Sequence, residues 1–161
     1  MKNEFDIFGK YWFGQEIDTI ITVREFDLKE YEIFHNKDVK FLHKDEKLYV
    51  GEPYEWVTPN WIPTLGVKDG RVYEILLEHP EENKNQLNAI SHVIINLFNR
   101  EFHDYDKHPF FSKKYMWILP NARIVLDIKT RSGLNVVSVA ATCFDIDILR
   151  PKFDGLNQNS A

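Results

Sequence analysis

Hydrophobic positions along this chain change period several times, and each change marks an element. Residues 64–67 and 71–78 are short apolar runs separated by Lys68-Asp69-Gly70. An Asp-Gly step between such runs predicts a tight β-hairpin, because both turn positions need backbone angles that Gly, and to a lesser degree Asp, accept cheaply. From Glu81 to Phe102 the period lengthens. Leu87, Ile90, Ile94, Leu97, Phe98 and Phe102 recur at spacings of three and four, which puts them on one face of a helix. Glu81 and Glu82 suit the positive end of its dipole. Strand patterns return at 115–119, 123–130 and 135–143, turned at Pro120-Asn121 and at Ser132-Gly133.

The first third is less regular. Residues 5–14 are aromatic and broken by Gly9 and Gly14. Residues 15–23 fit a short helix through Ile17, Ile20 and Ile21, or a strand. Residues 24–47 mix charges with weak alternation and read as short twisted strands or a solvated meander. Residues 47–50 form another brief strand. Pro53, Pro59 and Pro63 make 51–63 an irregular loop, since proline removes a donor and fixes its φ. The expected fold class is α+β: one domain over residues 1–153, an antiparallel sheet packed on one long helix at about 81–103. Residues 154–161 are expected to fray.

Composition supports a packed core. Of 161 residues, 43% are apolar and 14% aromatic, enough to fill an interior without crosslinks, and Cys143, the only cysteine, has no disulfide partner. Cys143 sits in an apolar strand pattern beside Ala140 and Ala141 and is expected to be a small buried hydrophobe. The N-terminus lacks the apolar run of a secretory signal, and no stretch approaches the length of a spanning helix, so a cytoplasmic protein without membrane association is expected.

Charge adds a location. The net charge is −5, from twenty-five acids against twenty bases. Seven of those acids but only two of the bases lie between Glu52 and Glu82, so this segment carries the entire excess. No basic stripe exists for phosphate backbones, which argues against nucleic acid as a partner. Within the acidic segment stand Tyr54, Trp56 and Trp61. Tyrosine and tryptophan concentrate binding energy at protein interfaces, and neighbouring carboxylates steer a basic partner. The competing role for these rings is to cover the open edge of the core. Phe110, Phe111 and Tyr115 form a second aromatic group, for which core packing is the competing role.

Catalytic chemistry is hard to find. His103-Asp104-Tyr105-Asp106-Lys107-His108 gathers two histidines and two carboxylates, yet its spacing matches no zinc pattern. A solvated loop capping the helix C-terminus, where His and Lys favour the dipole, is the better reading. Asp145 and Asp147 read as in–out alternation at a strand end. There is no phosphate-cradling loop, nucleophile elbow or paired-cysteine motif, and no cofactor or catalytic residue is assigned.

The early Phe8-Gly9 and Phe13-Gly14, the Asp69-Gly70-Arg71-Val72-Tyr73 hairpin, the single long helix and the final hairpin after Trp117 together resemble small bacterial α+β immunity proteins of toxin–immunity systems. That resemblance implies a non-enzymatic protein-binding module that occludes a cognate toxin, in many cases a basic one. Interface candidates are Glu52, Tyr54, Glu55, Trp56 and Trp61, with Phe110 and Phe111 behind them. The rival readings are a small metal-dependent enzyme using the His103–His108 loop and a self-assembling structural component.

Overall fold

The computed structural model describes residues 7–25, 46–81, 83–107, 114–131 and 133–144. They form eight strands and one α-helix: β1 (Val23–Glu25), β2 (Lys47–Gly51), β3 (Ile62–Lys68), β4 (Arg71–Pro80), α1 (Lys84–Glu101), β5 (Asp106–Lys107), β6 (Lys114–Ile118), β7 (Ala122–Arg131) and β8 (Leu134–Cys143). All eight strands join one sheet in the order β1-β2-β3-β4-β8-β7-β6-β5. Every neighbouring pair is antiparallel. The sheet is therefore two four-stranded meanders whose last strands, β4 and β8, pair at the centre. The fold is α+β, as the periods predict, but strands dominate it.

Two tight turns fix the long central hairpins. Lys68 pairs with Arg71 across Asp69 (φ 52°) and Gly70 (φ 75°), so both turn residues occupy the left-handed region that a two-residue hairpin requires. Arg131 pairs with Leu134 at the other hairpin, where Gly133 has φ 81°.

The pleat explains why residues 71–78 read as a nearly continuous apolar run. Ile75 and Leu77 of β4 lie in register with Ala141 and Val139 of β8 and join the main core. Leu76 and Glu78 alternate with them onto the opposite face, in register with Ala140 and Ser138. Leu76, Glu78, Val136 and Ser138 are nevertheless buried. Strands buried on both faces lose the simple alternation of a half-exposed sheet.

Helix α1 shares the inner face with the N-terminal segment. Leu87, Ile90, Ile94 and Phe98 are buried in the same cluster as Phe8, Tyr11, Phe13 and Ile17. Phe98 links the parts: its ring centroid lies 5.0 Å from Trp117 of β6, 6.1 Å from Phe8 and 6.0 Å from Trp56. The sheet is thus covered by one helix together with residues 7–17, and not by the helix alone. Those residues also extend β4. The last β4–β8 pair is Glu74 with Thr142. Short of it, Gly14 N–H donates to Val72 O (2.7 Å), Val72 N–H to Gln15 O (2.9 Å) and Ile17 N–H to Gly70 O (2.9 Å).

Several boundaries differ from the sequence expectation. The helix begins after Asn83, whose side chain accepts the N–H groups of Asn85 and Gln86, so Glu81 lies before its cap, and the expectation for Glu82 lies outside the described residues. Glu81 instead accepts Asn83 N–H and lies 3.6 Å from His79. Residues 15–23 hold neither a true helix nor a long strand: a 3-10 turn (Ile17–Thr19) precedes β1. Cys143 is buried at the end of β8, as its apolar neighbours predict. The expectations for most of residues 24–47, for Phe110, Phe111, Asp145 and Asp147, and for the tail at 154–161 lie outside the described residues.

Candidate functional site

The aromatic loop between β2 and β3 is folded back on the N-terminal segment. Tyr54 and Trp61 form an isolated bridge, with Tyr54 N–H donating to Trp61 O (3.0 Å) and Trp61 N–H to Tyr54 O (2.9 Å). Each ring then spends its polar group internally. Tyr54 O–H donates to Phe8 O (2.6 Å), Trp56 Nε1–H to Ile7 O (2.6 Å) and Trp61 Nε1–H to Thr58 Oγ1 (2.9 Å). Trp56 and Trp61 meet edge to face at 5.0 Å, and Tyr11 and Tyr54 at 5.2 Å. Trp61 is 0% exposed, so it offers no contact area to a partner. This corrects its place among the interface candidates. Tyr54 and Trp56 are half-buried and tied to the core cluster.

Burial also acts on the phenols. Tyr54 is pushed far above the ordinary tyrosine value of 10.0, chiefly by desolvation and secondarily by Tyr11. Desolvation likewise raises Tyr11, opposed by the Thr22 side chain and reinforced by Glu52. The Lys10 ammonium sits 5.4 Å from the Tyr11 ring centroid and 5.3 Å from that of Tyr54, a cation–π pair at the outer rim of the cluster.

Glu52 and Glu55 remain exposed on that rim. Next to Glu52 the surface forms a recess of about 370 Å³ lined by Ile21, Thr22, Val23, Arg24, Val50, Gly51 and Glu52. Thr22 O accepts Glu52 N–H at 3.3 Å, which closes β1 against the end of β2. Ile21 is 94% exposed, the most solvent-open large apolar side chain of the described residues. A second recess, about 300 Å³, lies nearer the β3–β4 turn and is lined by Ile17, Asp18, Lys47, Tyr49, Val67, Asp69 and Gly70. The β1–β2 side of the sheet therefore carries an exposed apolar knob and two shallow recesses, with carboxylates from three separate segments at Asp18, Glu52 and Asp69.

The acidic segment is not one surface. Glu52, Glu55 and Asp69 are exposed, but Glu78 is only 2% exposed on the outer face of β4, and Glu81 faces His79. In a strand, neighbours point to opposite faces, so a run of acids in sequence is dispersed in space. Conversely, Ile21 and Asp18 join the rim from outside that run. The one sequence hint was Ile20-Ile21 itself: two adjacent isoleucines in a short segment cannot both face the same core.

The His103–His108 loop is brought only partly into view, His108 lying outside the described residues. His103 follows the C-cap of α1, and its ring contacts two backbone carbonyls. Among the described residues no three His, Cys, Asp or Glu side chains gather as a metal-binding group, and no helix is long and apolar enough to cross a membrane. Comparison of the chain with protein-family models, with curated proteins and with solved structures gives no match.

Proposed function

We propose that this chain is a non-enzymatic protein-binding module of the immunity or inhibitor kind, acting in the cytoplasm, whose β1–β2 rim docks a basic protein. The observation that carries this reading is Ile21, 94% exposed beside a recess rimmed by Glu52. An exposed apolar knob gives a partner area to desolvate, while Glu52 in the same recess, Asp18 and Asp69 in the second recess and the exposed Glu55 raise the encounter rate with positive charge. Arg24 lines the recess of Glu52 and Lys47 that of Asp18 and Asp69, so each recess also offers a base that can set register. Tyr54 and Trp56 support the rim from below. Phe110 and Phe111, outside the described residues, are the alternative contact candidates.

Affinity capture from the native source tests the proposal, with wild type compared against a folded Ile21→Asp variant at low and moderate salt. The expected result is a stoichiometric basic protein retained by wild type and lost by the variant. Absence of any stoichiometric protein at both salt concentrations, or equal retention by the variant, overturns the rim as the binding surface.

A further inference from the structure

We propose that His103 is a pH-sensitive clamp: as an imidazolium it holds the segment leaving α1 against the end of β6, and it opens when the ring gives its proton to solvent. The geometry is specific. Nδ1 lies 2.7 Å from the carbonyl oxygen of Asp104, and Nε2 lies 3.1 Å from that of Ile118 at the end of β6. Both partners are pure acceptors. A neutral imidazole has one N–H, so its other nitrogen would turn a lone pair toward a carbonyl lone pair. Only the doubly protonated ring satisfies both contacts.

The charged surroundings act in the same sense. The bond to the Asp104 carbonyl acts most strongly and raises His103 above the ordinary 6.5; desolvation, next in size, opposes it, and the bond to Ile118 and the carboxylates of Asp106 and Asp104 add to the rise. On the last turn of α1, Arg100 lies 3.8 Å from Glu101, which pairs the helix-end charges with each other. The carbonyl end of the helix dipole also favours a cation immediately beyond it.

The clamp closes the β5 edge. Among the described residues β5 pairs with β6 through Asp106 with Met116 and Lys107 with Tyr115. A second tie does not titrate: Asn99 Oδ1 accepts both Tyr105 N–H (3.0 Å) and Trp117 Nε1–H (3.1 Å). Deprotonating His103 therefore loosens the β5 edge without unfolding the sheet. Because the folded-state value is raised, the clamp's contribution is complete below 6.5 and disappears as pH rises through the folded-state value.

The test uses the full chain and does not depend on any partner. The His103 ring resonance and backbone amide exchange at Tyr105 and across the β5–β6 pairing are followed by NMR from mildly acidic to mildly alkaline pH. Expected is a His103 titration above 6.5, with protection of those amides falling several-fold over the same range after correction for intrinsic exchange. His103→Gln keeps a donor but cannot titrate, so its corrected protection should be flat with pH. A ring that titrates at or below 6.5, protection that ignores the titration, or an unchanged pH step in His103→Gln overturns the clamp. Should the variant fail to fold, the wild-type titration and its coupling to exchange decide alone.

Discussion

Gly51 shows how closely the chain packs behind the proposed rim. A Cβ built there would lie 2.7 Å from Pro63 Cγ, 2.7 Å from Tyr11 Oη and 3.2 Å from Val23 Cγ1. A proline ring and a buried phenol have little freedom to withdraw, so Gly51→Ala should cost about 1–3 kcal/mol as overpacking. Urea unfolding measures it, and an unchanged midpoint would mean that the β1–β2 contact relaxes freely. Tyr11 and the nearby Tyr54 set a second expectation. Their phenols are raised because burial penalises the phenolate. The unfolded chain then ionises first, so stability is fully present below the ordinary value of 10.0 and falls as pH rises beyond it. Tyr54→Phe should flatten that alkaline decline, at the cost of about 1 kcal/mol near neutrality for the lost bond to Phe8 O. An alkaline limb as steep as that of wild type would place the phenolate penalty elsewhere. At this scale the sequence reveals residue type but not direction. Tyr54, Trp56 and Trp61 have the composition of an interface, yet their polar atoms are consumed by Phe8, Ile7 and Thr58. Thr58 is local to Trp61, but nothing in residues 51–63 announces Phe8 and Ile7 as partners so far away along the chain.

Elements were more legible than side-chain directions. The three-and-four spacing of Leu87, Ile90, Ile94 and Phe98 recurs as the buried stripe of α1, because a helix must turn one face to the core wherever it packs. Ile94→Asp should therefore unfold the protein, since it buries a charge at a position with 0% exposure. Asn83→Ala should cost only about 1 kcal/mol, the usual value of an N-cap. Thermal melts of the two variants separate face from cap, and similar melting points would contradict the assignment. The strands at 71–78, 123–130 and 135–143 were recognisable because each is long and flanked by turn residues. β1 and β5 were not, since three and two residues carry no period. The cover supplied by residues 7–17 was equally hidden: it rests on long-range pairing with Val72 and Gly70, and no propensity encodes that.

The whole molecule decides what the charge pattern means. Seven acids between Glu52 and Glu82 look like one patch in sequence, but Glu78 is buried on the outer face of β4, and Glu81 faces His79. Of the described acids in this run, Glu52, Glu55 and Asp69 are exposed and Glu74 is half-buried; Asp18 is exposed on the N-terminal turn. For a partner docking on this rim, the charges and the apolar knob should act on different rate constants. Charges at Glu52 and Glu55 work at a distance, and screening shortens their reach to about 8 Å at physiological ionic strength. Reversing both to Lys should slow association and flatten its salt dependence, with little effect on dissociation. Ile21 works only in contact. Ile21→Asp should leave association within a few-fold and accelerate dissociation strongly, because it forces a charge into the desolvated centre of the interface. Melting should barely change in either case, since all three side chains are exposed. Trp61→Ala belongs to another class: with its ring at 0% exposure, it should cost about 3–5 kcal/mol of stability and weaken binding only through the fold. Surface plasmon resonance across a salt series, paired with melting of each variant, separates these outcomes. If Trp61→Ala raised the dissociation rate while melting like wild type, the tryptophan would have to be part of the contact. If the Ile21 and glutamate variants left both rates untouched, the β1–β2 rim would not be the binding surface.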